Sequence, residues 1–159
     1  MESDLAIKRL DALVRHINNV RQNCTLLGER LIEKGETEFG KRLIANGFIH
    51  DNSKFSGVEW LYLHSDVKEK EPEKFKLAAE HHVNSNYHHP EFWIHISHVP
   101  RIYLAEMVCD WGARSSEFGN DLRVWEREMA PKKFDYTLQS KIYKQIKEFT
   151  DILLDPGFN

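Results

Sequence analysis

The sequence predicts an all-α protein that folds as a single compact bundle of about six helices. Apolar residues recur at helical spacing in several long segments, and no convincing run alternates apolar and polar residues as a strand would. The chain has 159 residues, which is enough for one domain with a substantial hydrophobic core.

Two amphipathic helices are predicted in the first third of the chain, over residues 4–33 and 37–50. In the first, leucine, isoleucine and valine recur every three or four residues, and Gly35 lies just past its end. In the second, apolar residues share one face up to Asp51. There a polar run begins, and its side chains compete for backbone hydrogen bonds.

The middle of the chain is predicted to contain two shorter helices and one long one. Residues 56–64 and 72–83 are expected to be helical, the second opened by Pro72 at a first-turn position. The stretch 84–90, rich in histidine and asparagine, is a loop by composition. Residues 99–117 form a strongly apolar helix, which we expect to be central to the core.

The C-terminal part is predicted to connect to a last amphipathic helix over residues 137–154. Residues 118–133 form the connection, with a short helix at Leu122–Met129. We therefore expect one domain over residues 1–159, with a core built by about residues 4–118 and the last helix packed on it.

The composition argues against several classes of protein. The net charge of −3 does not suit a non-specific nucleic-acid binder, which would carry a basic field. Cys24 and Cys109 are too few for a disulfide scaffold, so we expect buried free thiols and no disulfide-linked partner. No stretch approaches the ~18 apolar residues of a membrane span, and we expect no signal peptide, because Glu2 and Asp4 are acidic and no long apolar run follows them. These features predict a cytoplasmic protein without a membrane partner.

Four residues on the predicted helices have the side chains of a metal site: His16, His50, Asp51 and Asp110. Singly, each has an ordinary explanation as a hydrogen-bonded core histidine, a partner of a helix dipole or a turn residue. A bare charge at Asp110, in an apolar helix, would however be costly. Together the four predict a centre for Mn²⁺, Fe²⁺, Co²⁺, Ni²⁺ or Zn²⁺, which suit mixed nitrogen and oxygen ligands better than Ca²⁺ does. Four protein ligands leave positions open for water and substrate.

In their order along the chain, these four residues resemble the H…HD…D signature of the HD superfamily of metal-dependent phosphohydrolases. The string DNSK at 51–54 is similar to the HD-x-G-K variant, with serine in place of glycine. Residues 104–111 are similar to the helix that delivers the last aspartate. The resemblance covers about residues 10–118 and is closest to small bacterial and phage proteins that bring no known activity with them. It implies an HD-domain-like helical fold.

A second group of histidines follows the HD pair: His81, His82, His88 and His89. In two-metal members of the superfamily, histidines in this interval bind a second ion, and in one-metal members they contact the phosphate. The resemblance therefore implies one or two ions here, with His82 and His89 as further ligands and His81 and His88 as substrate contacts, or these roles exchanged. The alternative is a polar loop with satisfied histidines, and the spacing does not decide among these assignments.

Four charged residues near the predicted ligands are candidates for catalysis or substrate binding. Lys54 could neutralise a phosphate oxygen, or be an exposed lysine. Glu59 is a candidate general acid or base, or an outer partner of a metal-bound histidine. Glu106 lies four residues before Asp110 and could orient a ligand or take a proton. Arg114 could reach a phosphate, or belong to an ordinary charge ladder along the helix.

These features predict a divalent-metal-dependent phosphohydrolase acting on a nucleotide or a related small phosphate ester. A nucleobase could stack on one of the aromatic residues near the site: Trp60, Tyr62, Phe92, Trp93 and Trp111. Two alternatives stay open: a di-iron oxygenase of the HD type, and a catalytically silent nucleotide-binding module. A homodimer is expected only because dimers are the commonest oligomers.

Overall fold

The computed structural model describes residues 2–157, and these residues form helices and turns without a strand. The α-helices are α1 (Glu2–Glu33), α2 (Thr37–Ile49), α3 (Gly57–Tyr62), α4 (Ser65–Lys70), α5 (Pro72–Ser85), α6 (Arg101–Phe118), α7 (Leu122–Val124), α8 (Ala130–Phe134) and α9 (Lys141–Leu153). Short 3₁₀ turns lie at Asn52–Phe55, Pro90–Trp93 and Ile96–His98, and a π-helix at Trp125–Met129 joins α7 to α8. The predicted all-α fold is confirmed.

The predicted number of about six helices is too low. The short helix α4 was not predicted, because Val67 is its only buried apolar residue and gives no periodic pattern. The connecting region is also more helical than expected. From Leu122 to Phe134 the chain is helical without a break, and the π-helix lies in its middle.

Helices α1 and α2 form a tightly packed antiparallel hairpin whose separation is set by small residues. A Cβ atom on Gly40 would lie 2.3 Å from the backbone oxygen of Gly28, and one on Gly47 would lie 2.6 Å from the Cβ of Cys24. The turn between the helices passes through Gly35 at φ +93°, a conformation that favours glycine. This register brings the C-terminal end of α2, and with it the HD pair, alongside the part of α1 that carries His16.

Helix α6 lies at the centre of the core, packed on α1, α2 and α9. Its Leu104, Met107 and Val108 are fully buried, and Ile146 and Phe149 of α9 are buried with them. Burying a side chain of this size stabilises a fold by roughly 1.5–3 kcal/mol. Polar residues of α6 are therefore held in a rigid apolar frame.

The two cysteines are buried and free, as predicted. Cys24 lies on α1 and Cys109 on α6, both at the contact between these helices. Among residues 2–157, we find no helix with the length and apolar character needed to cross a membrane.

We expect Gly40→Ala to destabilise the protein by about 1–3 kcal/mol, because the new methyl group forces α1 and α2 apart. The free energy of unfolding, measured by urea titration, tests this. Ala45→Ser, at an exposed position of the same helix, is the control and should change stability by less than about 0.5 kcal/mol. An unchanged midpoint for Gly40→Ala would show that the hairpin is not limited by this contact.

Candidate metal centre

The four predicted ligands come together where α1, α6 and the C-terminal end of α2 meet. The Nε2 atom of His16 lies 3.2 Å from Asp110 Oδ1 and 3.9 Å from Asp51 Oδ2. His50 Nε2 lies 3.5 Å from the same Asp51 oxygen. His16, His50 and Asp51 are each at most 3% exposed, so this polar cluster is shielded from solvent.

Asp51 occupies its position through an unusual backbone conformation. The residue has φ +56° and ψ +20°, in the left-handed region where residues other than glycine are uncommon. Aspartate tolerates this region better than most side chains do, and such conformations concentrate at functional sites. Helix α2 ends here, and the chain turns into the 3₁₀ segment Asn52–Phe55 with the carboxylate buried among histidines.

The histidines that follow the HD pair complete a second group around the same carboxylate. Asp51 Oδ1 lies 3.5 Å from His82 Nε2 and 3.5 Å from His88 Nε2. His89 Nε2 lies 2.9 Å from His82 Nε2. One oxygen of Asp51 thus faces the first group of ligands and the other oxygen faces the second, and either group could hold one cation.

The Nδ1 atoms of the histidines are held by an outer ring of carboxylates. The Nδ1–H of His16 donates to Glu117, that of His50 to Glu106 and that of His82 to Glu59, at 3.0, 3.0 and 2.8 Å. His88 Nδ1 lies 3.3 Å from Glu106. A histidine that donates through Nδ1 to a carboxylate presents an Nε2 lone pair, which is the usual arrangement around protein-bound metals.

Because the histidines donate through Nδ1, five buried acceptor atoms face one another at the centre without a hydrogen-bond donor: His16 Nε2, His50 Nε2, His88 Nε2, Asp51 Oδ1 and Asp110 Oδ1. Buried polar atoms without a partner are rare because their desolvation is not compensated. All five belong to the two groups just described and lie within a few ångströms of one another. The donor set therefore fits a cation, which would compensate every one of them.

The acids of the site are held in their ionised form. Burial raises the pKa of Asp51, but His50 and Lys54 outweigh this and hold the pKa well below its usual range. Burial likewise opposes ionisation of Asp110, yet His16 and His50 keep the pKa low. Ionised carboxylates in a buried pocket attract cations strongly.

The surroundings shift the pKa values of His50 and His89 in opposite directions. Burial lowers the pKa of His50, but Asp51 and Glu106 outweigh it and raise the pKa above its ordinary value. Burial and the neighbouring His88 lower the pKa of His89 to about 2. His89 is therefore neutral at physiological pH, as a ligand must be, and a cation would compete with a proton at His50.

The structure changes the roles proposed for two histidines. His88 is buried between Asp51 and Asp110, so it lies among the candidate ligands and not at a rim where it would contact substrate only. His81 lies outside the cluster, with its side chain 51% exposed and its Nδ1 held by Glu59. The sequence could not separate these two residues, because His81 lies on α5 while the position of His88 depends on how the loop after α5 folds back.

The two acidic candidates for catalysis, Glu59 and Glu106, both accept hydrogen bonds from histidines of the centre. Glu59 is buried and accepts hydrogen bonds from His81, His82 and Ser53, so it holds histidines in place. Glu106 does the same for His50, which supports the orienting role.

The two candidate cationic residues also contact the acids around the site. Lys54 Nζ lies 2.5 Å from Asp51 Oδ2. The alternative that it is simply an exposed lysine is wrong, because its side chain is only 16% exposed. Arg114 pairs at 3.2 Å with Glu117, three residues further along α6, and not with Asp110 as a ladder from Glu106 through Asp110 to Arg114 would require.

Glu117 was missed by the sequence analysis, although it holds His16 at 3.0 Å. It lies seven residues after Asp110 and therefore on the same face of α6. Asn19, one turn after His16 on α1, donates to the same Glu117 oxygen. A search of the helical faces for acids in phase with the predicted ligands would have found Glu117.

Several cavities border the centre, and two of them bear on how a substrate could reach it. The larger, of about 730 Å³, lies between α6 and the segment 119–134, and His88, His89 and Asp110 line one part of it. The smaller, of about 480 Å³, is lined by His16, Lys54, His82 and several apolar side chains of α1 and α5. His89, Asp110 and Arg114 line both cavities, so the candidate ligands lie between the two.

Comparison with known proteins gives one result. A family described as a family of unknown function (DUF5662) matches residues 6–152, which is most of the chain. No curated protein and no solved structure matches.

We expect Glu106→Gln to lower the stability of chelator-treated protein by about 1–3 kcal/mol at pH 7. Burial raises the pKa of Glu106, but hydrogen bonds from His50 and His88 outweigh it and lower the pKa from 4.5 to about 2. A depressed pKa means that the ionised form stabilises the fold above pH 4.5, and that this contribution is lost as the pH falls toward 2. Urea titrations between pH 3 and pH 7 measure the difference from wild type.

The difference between wild type and Glu106→Gln should therefore shrink toward pH 3. The control is Glu128→Gln, at an exposed position. A difference that stays constant from pH 3 to pH 7 would show that Glu106 does not stabilise the fold as a carboxylate.

Proposed function

The chain belongs to the family of unknown function DUF5662, and we propose that it is a divalent-metal-dependent phosphohydrolase acting on a nucleotide or a related small phosphate ester. His16, His50, Asp51 and Asp110 would hold one ion. Asp51, His82, His88 and His89 would hold a second. The ions would be Mn²⁺, Fe²⁺, Co²⁺, Ni²⁺ or Zn²⁺, because imidazole and carboxylate ligands are combined.

One observation carries this proposal. The buried Nε2 and carboxylate oxygen atoms of the cluster lack partners, and carboxylates orient the histidines from behind. A purely structural cluster of buried charges would be expected to satisfy its own hydrogen bonds. The centre also borders two cavities, so a substrate can reach the candidate ligands.

A bound divalent ion would supply Lewis-acid activation of water and of the phosphoryl group. The residues of the chain position the substrate and balance its charge. Lys54 borders the smaller cavity and Arg114 borders both, so their cationic groups can bind phosphate oxygens. Glu59, Glu106 and Glu117 keep the histidines in one tautomer by accepting their Nδ1–H donors.

A di-iron oxygenase is the second candidate, and the position of Asp51 favours it. The two oxygens of this carboxylate face two separate groups of histidines, as a ligand shared by two ions would. Iron-dependent oxygen uptake without phosphate release would support this function. A catalytically silent nucleotide-binding module would instead bind nucleotide without either reaction.

We expect Asp51→Asn to abolish metal-dependent phosphate release, with a fall in kcat/KM of at least about a hundredfold, because Asp51 is the one residue present in both candidate ligand groups. The assay is release of inorganic phosphate from a panel of nucleotides and phosphate esters with Mn²⁺, Co²⁺ or Ni²⁺.

The matched control for this substitution is Asp11→Asn, at an exposed position of α1, which should keep full activity. Circular dichroism checks that both variants are folded. Absence of turnover by the wild type with every ester and every ion would refute the phosphohydrolase proposal.

We expect Glu117→Gln to weaken metal binding by about 10–100-fold while the protein stays folded, because the amide orients His16 less well than the carboxylate does. Competition with a coloured chelator measures the affinity. Glu38→Gln, at an exposed position of α2, is the matched control. An unchanged affinity in Glu117→Gln would show that the Glu117 carboxylate does not support metal binding through His16.

A further inference from the structure

We propose that the larger cavity, between α6 and the segment 119–134, is a recognition site for a planar aromatic group attached to the phosphate of the substrate. This inference rests on the proposed function for the position of the phosphate, but binding of the aromatic group can be measured without any reaction. It assigns substrate recognition to Trp111, Trp125 and Phe134.

The cavity is built around three aromatic side chains. Phe134 stacks on Trp111 with ring centroids 5.6 Å apart and an angle of 15° between the rings. Trp125 meets the same Trp111 edge-to-face at 5.9 Å and 81°. All three line a cavity of about 730 Å³, within the range that binds small organic molecules. Such an arrangement offers ring faces and edges to a further flat ring.

A π-helix places one of these rings. Residues Trp125–Met129 form a single wide turn between α7 and α8, and turns of this kind are frequent at functional sites. The turn is anchored from behind, because the Tyr136 hydroxyl donates to the backbone oxygen of Glu126 at 2.6 Å. The side chain of Glu126 is buried. Trp125 is therefore held on a supported element and not on a free loop.

Apolar side chains at the edge of the cavity remain exposed to solvent. Phe118 is 70% exposed and Met129 is 54% exposed, and both line the cavity with Val124. Large apolar side chains gathered around a cavity are typical of a ligand site, because a bound apolar group would cover them.

The polar groups of the cavity determine the orientation in which a ligand would bind. His88, His89 and Asp110 line the part next to the candidate metal centre, and Arg114 lines the same cavity. An anionic phosphate bound by Arg114 beside the candidate metal centre would leave its organic group facing Trp111, Trp125 and Phe134. The recognised class is therefore a phosphate ester that carries an aromatic ring, either a nucleotide or an aryl phosphate.

Equilibrium binding tests this inference with probes whose carbon–phosphorus bond is not hydrolysed. Isothermal titration calorimetry in anaerobic buffer compares butylphosphonate with two aromatic probes, phenylphosphonate and the analogue of adenosine 5′-monophosphate in which a methylene group replaces the bridging 5′-oxygen. We expect the two aromatic probes to bind about tenfold more tightly than the aliphatic one, since stacking of one ring contributes on this scale. A further gain for the adenosine probe over phenylphosphonate would identify a nucleobase as the ring.

Phe134→Leu keeps an apolar side chain but removes a ring, so it should reduce the preference for the aromatic probes to about threefold or less. The matched control, Phe48→Leu, changes an exposed ring of α2 that does not line the cavity and should keep the preference. The comparison of probes on wild-type protein does not depend on either variant folding.

Equal affinity for aromatic and aliphatic probes, or no binding of any probe, would overturn the inference. Turnover of phosphate esters with no aromatic preference would leave the phosphohydrolase proposal standing and refute this site. Aromatic binding that Phe134→Leu weakens, in a protein that hydrolyses no ester, would support this site and refute the hydrolase.

Discussion

The buried carboxylate of Asp51 is the constraint on which the site depends. An ionised carboxylate at 2% exposure is costly unless positive charge or donors surround it. Here Lys54 pairs with one of its oxygens from the exposed side, and the Nε2 lone pairs of His50, His82 and His88, 3.5 Å from its oxygens, leave a place that a cation would complete. The histidines depend in turn on Glu59, Glu106 and Glu117 behind them. Asp51, the histidines around it and the carboxylates behind them therefore surround a small volume whose ligand atoms suit a cation.

The fold supplies this arrangement through three contacts. Glycines between α1 and α2 set a close separation, which places His50 beside His16. The apolar faces of α6 hold Asp110 and its acidic neighbours in one row. The loop after α5 then folds back, so that His88 lies beside Asp51 and His89 contacts His88. Helix packing, and not the local sequence around any one ligand, brings the cluster together.

The sequence predicted the parts of the site that follow from helical periodicity. His16 and Asp110 lie on apolar faces, so their inward direction could be read from spacing alone. Periodicity does not apply to the loop, so the spacing did not show that His88 lies among the candidate ligands. Trp125 and Phe134 could not be assigned to a cavity, because the π-helix rotates the residues around it out of the ordinary 3.6-residue phase. Helix α4 was missed because a charged six-residue segment carries no periodic signal.

The most direct test of the central claim is the metal content of the protein. Elemental mass spectrometry would be applied to protein purified without chelators, and again after anaerobic reconstitution with Mn²⁺, Fe²⁺, Co²⁺, Ni²⁺ or Zn²⁺. The arrangement around Asp51 predicts one or two transition-metal ions per chain, retained through gel filtration. A chain that remains free of metal after reconstitution with each of these ions would contradict the account, and the buried cluster would then be a structural network of charges.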